Sequence, residues 1–188
     1  ITCSGGKEGF IEAGAKGANI LTALLAQPLE ELAEKIALYR ESRAKNGYDP
    51  DTGYVTLMLH TFVSNEVEFV RNQVREPFTE YLKSSVNLWK KGSKEKPLFT
   101  KQQQDEILAY SFERYFQTAA LFGTPQSCLN IVEKIKEIGV DEIACLIDFG
   151  VDADLVLSNL NYLNQLRKLA NGISDSLPKE SLIPQAFN

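Results

Sequence analysis

Apolar positions along the chain follow two alternating rhythms. Leu29, Leu32, Ile36 and Tyr39 recur at helical spacing, with glutamates and lysines between them and Pro28 in the first turn. In "YVTLMLHTFV", Tyr54 to Val63, the run is that of a strand. Val55, Leu57, Leu59 and Thr61 then share one face, and Thr56, Met58, His60 and Phe62 share the other. The remaining stretches sort in the same way. "ITC" reads as the end of a strand. Lys7 to Lys16 predicts a helix with Phe10, Ile11 and Gly14 on one face and Gly17 as its stop. Residues 18–24 predict a short buried strand, and the helix opened by Pro28 is stopped by Gly47.

After the strand at Tyr54–Val63, Ser64 is expected to cap a helix lined by Val67, Val70 and Val74. Pro77 is expected to interrupt it, with a second helix from Phe78 to Lys91. Thr100 can cap a helix running to Phe122. Thr124 as cap, Pro125 in the first turn, Leu129, Val132 and Ile135 inside and Gly139 as stop define the next one. "DEIACLIDFG" predicts a strand apolar on both faces in its middle, and "DADLVLSNLNYLNQLRKLA" a last amphipathic helix. Strands alternating with helices imply parallel strands, and strands apolar on both faces imply a sheet covered on both sides. The expectation is an α/β domain of parallel βα repeats over residues 1–170, followed by a linker or tail over 171–188 that has no period.

Composition narrows the function classes. The 188 residues include 20 basic and 25 acidic ones, a net charge of −5. That argues against nucleic acid or an anionic membrane as partner, because both favour a basic stripe. Hydrophobic residues make up 44% of the chain, enough for a real core. No apolar run has the length of a membrane span, and "ITCSGGKEGF" lacks the charged and apolar parts of a signal peptide. Cys3, Cys128 and Cys145 are far apart, with no CxxC and no histidine nearby. Free thiols in a reducing cytoplasm are therefore expected, rather than a disulfide framework or a metal site.

Two stretches carry candidate chemistry. His60, the only histidine, lies near the C-terminal end of its strand, where parallel barrels gather their ligands. It reads either as a site residue or as a core histidine bonded to a neighbouring strand. "CSGGKEGF" follows a strand end and opens a helix. Ser4, Gly5, Gly6 and Lys7 suit an anion: glycines admit close approach, helical N–H groups point outward, and Lys7 adds charge. The turn is neither a P-loop nor GxGxxG. "DFG" at Asp148–Gly150 lacks the other kinase motifs. Asp148 reads as capping or orienting the loop before the last helix, with the barrel mouth as alternative. Tyr110, Phe112, Tyr115, Phe116 and Phe122 read mainly as core, and Glu113 and Arg114 as a solvated face.

"GFIEAGAKGANILTALLAQPLEELAEKIALYRE", "VTLMLHTFV", "FERYFQTAALFGTPQSC" and "IGVDEIACLIDFGV" together resemble the luciferase-like flavin monooxygenases. Within that family they most resemble the branch found as a domain in nonribosomal peptide and polyketide synthases. The resemblance spans residues 1–170 and implies the C-terminal half, strands five to eight, of a (β/α)₈ barrel with helices inserted after strand seven. It implies an enzyme that uses reduced FMN and O₂ to oxygenate a substrate, either a small molecule or one tethered to a carrier protein, with a flavin reductase as FMNH₂ source. The flavin phosphate would sit on Ser4, Gly5, Gly6 and Lys7, and His60 would orient flavin or substrate or move a proton. The rival reading is a non-catalytic half-barrel that only folds and associates. Four strands do not close a barrel. A homodimer or pairing with the other half is therefore expected, with Ile20, Met58 and Phe62 on the uncovered face.

Overall fold

The protein is described by a computed structural model covering residues 1–25, 27–90 and 100–173. In chain order the elements are α1 (Lys7–Ala15), β1 (Ile20–Ala23), α2 (Leu29–Lys45), β2 (Val55–Val63), α3 (Val67–Lys90), α4 (Lys101–Thr118), β3 (Leu121–Gly123), α5 (Pro125–Glu137), β4 (Glu142–Leu146) and α6 (Ala153–Ala170). The sheet is built around β2. It pairs in parallel with β1, from Ile20 opposite Val55 to Ala23 opposite Met58. It pairs in parallel with β4, from Thr56 opposite Glu142 to His60 opposite Leu146. Its last residues, Thr61 to Val63, pair with β3. Thr2 is bridged to Leu21, so the "ITC" segment runs as a further strand end beside β1. The expected parallel βα order is thus observed.

One face of the sheet is closed by helices. Val55, Leu57 and Leu59 are buried together with Ile20, Leu32, Ile36 and Tyr39. Helices α1 and α2 approach closely at Gly14, where a Cβ would strike the Tyr39 carbonyl and Ser42. Ser42 Oγ donates to the Ile11 carbonyl at 2.7 Å across the same contact. Ile11 itself is exposed, and Ala13 takes the inward place expected for it. At the N-terminal end of the sheet, one Asp141 carboxylate oxygen accepts from Arg40 at 2.9 Å and from the Val55 N–H at 2.8 Å, tying α2, β2 and β4 together.

Several expectations are corrected. Pro28 is the N-cap of α2 rather than part of it. Ser64 does not cap α3. Its hydroxyl bonds Asn159 Oδ1 at 2.6 Å, fastening the end of β2 to α6. Pro77 does not end the helix, which runs on through it. Val70, Val74, Phe78 and Leu82 form one buried stripe across the proline. Burying each contributes about 1.5–3 kcal/mol, which outweighs the roughly 3 kcal/mol a mid-helix proline costs. Helix α4 ends at Thr118, not Phe122, because residues 121–123 are taken up as β3. Ile20 and Phe62 are buried, so neither lies on an uncovered face; Leu21, beside Thr56, is 37% exposed instead. Cap residues Thr100 and Thr124 are as expected, each closing a capping box. The expected tail over 171–188 and the end of the expected 78–91 helix lie largely outside the described residues.

Candidate functional site

Parallel strands carry all their C-terminal ends to one rim. The Ser4–Lys7 turn, the loop after β1, Ser64 after β2 and Asp148–Gly150 after β4 therefore gather there. The turn holds Ser4, Gly5, Gly6 and Lys7 exposed at the start of α1. Gly5 adopts φ +110°, a conformation for which glycine is suited. Gly6 is the N-cap of α1 and makes no side-chain cap bond, so the positive end of the helix is not closed by a cap side chain. Lys7 reaches Glu34 at 3.0 Å. The Glu8 carboxylate folds back beside Gly6, where a Cβ would collide with it. A carboxylate of the chain itself thus lies at the helix N-terminus, the place that favours an anion. In donor set and backbone freedom the turn fits a phosphate group.

Beneath the turn lies a residue that the sequence reading passed over. Lys35 is 2% exposed. Its Nζ donates to the Gly5 carbonyl and to Gln27 Oε1 at 2.8 Å, and pairs with Glu31 at 2.8 Å. Gln27 in turn donates to the Ala23 carbonyl at 2.8 Å and to Thr22 Oγ1 at 3.3 Å, and Thr22 donates to the Cys3 carbonyl at 2.8 Å. The signal was available: position 35 falls between Leu32 and Tyr39 on the inward stripe of α2, where a lysine is out of place.

His60 lies two strands away from the turn, on the face opposite Leu57 and Leu59. It is 7% exposed, edge-on to Phe78 at 4.8 Å, Tyr81 at 4.4 Å and Phe149 at 5.4 Å. Its Nε2 is buried with no hydrogen-bond partner among the described residues. Nε2 thus makes no bond to a neighbouring strand. Burial pushes its pKa down to about 4, against the opposing pull of Asp148. His60 is therefore a neutral imidazole at neutral pH. Asp148 is exposed, and the cap of α6 is Asp152, which accepts from the Leu155 N–H at 2.9 Å.

The aromatic residues divide. Phe112, Tyr115, Phe116 and Phe122 are buried core, while Tyr110 is 73% exposed. Tyr115 donates to the Leu24 and Leu25 carbonyls in the loop after β1, and burial pushes its phenol up to about 12. Glu113 is not a plain solvated face, because it pairs with Arg71 at 2.6 Å and Arg75 at 3.0 Å and so ties α4 to α3. A groove of about 780 Å³ lies between β4, α5 and α6, lined by Ile143, Cys145, Val132 and Leu163 among others. It does not include the rim residues. Among the described residues no helix is long and apolar enough to cross a membrane.

The sequence pattern of the luciferase-like monooxygenases matches residues 1–142. The chain belongs to this family. No curated protein matches it in sequence. Among solved structures it is similar to the monooxygenase RslO1 from Streptomyces bottropensis, at 12% identity and TM-score 0.65, over 93% of this chain and 48% of that one. It is also similar to the oxygenating constituent of 3,6-diketocamphane monooxygenase from Pseudomonas putida, in complex with FMN, at 14% identity and TM-score 0.64, over 93% and 48%. An F420-dependent secondary alcohol dehydrogenase bound to an F420-acetone adduct matches at 14% identity and TM-score 0.57, over 88% and 48%. The chain spans about half the length of these structures. Its four parallel strands and their helices are a half of the luciferase-like barrel.

Proposed function

We propose that this luciferase-like chain carries the flavin-phosphate end of an FMN-dependent monooxygenase, one that uses reduced flavin and O₂ to oxygenate a substrate in nonribosomal peptide or polyketide biosynthesis. The observation that carries the proposal is the exposed Ser4–Lys7 turn at the uncapped N-terminus of α1, on the strand-end rim. The backbone N–H groups of the turn and first helical residues, with Ser4 Oγ and Lys7 Nζ, would hold the phosphate. Bound reduced flavin supplies the reaction with oxygen. His60, held neutral among the rings of Phe78, Tyr81 and Phe149, offers a buried polar Nε2 in a largely aromatic surround. In this reading it orients flavin or substrate or moves a proton at Nε2. The reduced flavin comes from a separate reductase in the cytoplasm, and the substrate arrives free or on a carrier protein. The open side of the sheet is covered by a second copy or by the other half of the barrel.

The test is an FMN titration followed by fluorescence quenching. Lys7→Glu combined with Gly6→Asp places carboxylates beside the phosphate and should weaken binding at least tenfold. Equal affinity in wild type and variant removes the turn from the site. The rival reading, a half-barrel that only folds and associates, is favoured by the uncovered face bearing Leu21, Thr56, Met58 and Ala144. A wild-type chain that associates but binds no FMN would uphold it.

A further inference from the structure

We infer that Lys35 is a positioning residue of the anion turn: it sets the turn's shape from below without touching the ligand. The inference rests on the proposed reading of Ser4–Lys7 as a phosphate site. Taking an ammonium group out of water is costly unless every donor is matched. Lys35 matches its three N–H donors with three acceptors, the Gly5 carbonyl, Gln27 Oε1 and the Glu31 carboxylate. No donor is left over for a ligand.

The direction of the grip is what matters. The peptide bonds of the described chain are trans, and in a trans peptide the carbonyl and the following N–H point in opposite directions. Drawing the Gly5 carbonyl inward onto Lys35 therefore turns the Gly6 N–H outward, toward the space an anion would occupy. Gly5 at φ +110° supplies the backbone turn that this requires. Gln27 extends the grip. It links Lys35 to Thr22 and through Thr22 to the Cys3 carbonyl, immediately before the turn. The residue before the turn and the carbonyl inside it are thus referred to β1 and α2, and the loop after β1 and the anion turn behave as one unit. A methionine at 35 would fill the same volume and release the carbonyl.

The test uses the whole 188-residue chain, isotope-labelled, with inorganic phosphate titrated against the Gly5, Gly6 and Lys7 amide signals. FMN and riboflavin are titrated in parallel. Wild type should bind phosphate and prefer FMN to riboflavin. Lys35→Met should weaken phosphate roughly tenfold, the size expected for losing a charge-assisted bond, and erase the preference for FMN. Riboflavin affinity should hold, and so should the Leu57 and Leu59 amide signals. Lys35→Arg should restore part of the loss. A general loosening of the fold would instead lower FMN and riboflavin alike, and that outcome overturns the inference. So does a Lys35→Met chain that binds phosphate as wild type does, which leaves the phosphate reading standing. Wild type that binds no phosphate removes that reading and the inference together. Should Lys35→Met fail to fold, Thr22→Val deletes only the hydroxyl under Cys3. It should weaken phosphate about threefold, and unchanged affinity there also overturns the inference.

Discussion

The two faces of β2 were built by different means. On one, Val55, Leu57 and Leu59 are at most 1% exposed beneath helices, and aliphatic residues close against aliphatic residues. On the other, the strand changes character along its length. Thr56 and Met58 are only half-buried, with Leu21 and Ala144 beside them on neighbouring strands. His60 and Phe62 are buried, covered by aromatic rings from α3 and from the turn after β4. The first face is closed over β1 and β2, while beside β4 it opens into the groove lined by Ile143 and Cys145. The second is complete only at the rim, where Phe78 touches His60, Tyr115, Phe122 and Phe149 at once. The two faces of a single strand thus differ in how they are covered. On the closed face the buried hydroxyls of Thr22 and Thr61 each donate to a backbone carbonyl, while the rim of the open face holds a histidine whose Nε2 has no partner among the described residues.

Removing the ring that organises the rim should have the largest effect. Phe78→Ala should lose about 4 kcal/mol, and Leu57→Ala on the closed face about 3 kcal/mol. Met58→Ala, next to Leu57 in β2 but half-open, should lose less than about 1 kcal/mol. Urea denaturation measures all three, and equal losses at 57 and 58 would erase the distinction between the faces.

Acid should find the rim next. The unfolded chain protonates its histidine near pH 6.5, whereas folded His60 resists down to about 4. Between those values the unfolded state binds the extra proton. The contribution is therefore whole above pH 6.5 and is lost as the pH falls to 4, about 3 kcal/mol in all. Folding free energies across pH 4–7 should show this slope in wild type and lack it in His60→Leu. A slope that survives the substitution belongs to other groups.

The half-open stretch can be probed by charge. If a second copy covers it, Met58→Asp should weaken self-association roughly tenfold in sedimentation, since one buried apolar side chain contributes about 1.5–3 kcal/mol. An unchanged dissociation constant puts the contact elsewhere. The smallest change is expected at the turn. Glu8→Gln removes the resident carboxylate beside Gly6 and should tighten phosphate binding about two- to fivefold, the scale of one charge at a helix N-terminus. Weaker binding in that variant would mean that Glu8 helps rather than competes.

Elements whose signals lie within a few residues were readable in advance. The capping boxes at Thr100 and Thr124, the inward stripe of α2 and the alternation of β2 depend only on near neighbours, and so does the Gly-rich opening of α1. The family resemblance rested on the same local stretches. Other features needed the assembled chain. Residues 121–123 become a strand because Thr61–Val63 offer them a ladder. Pro77 stays helical because Val74 and Phe78 are buried on either side of it. The rings around His60 come from positions 78, 81 and 149, and the acceptors of Lys35 from positions 5, 27 and 31. Local conformational preference is set by residues close in sequence. Burial, desolvation and the matching of buried donors are set by whatever the fold brings close in space, and at this site those are what decide the charge of His60 and the aim of the Gly6 N–H.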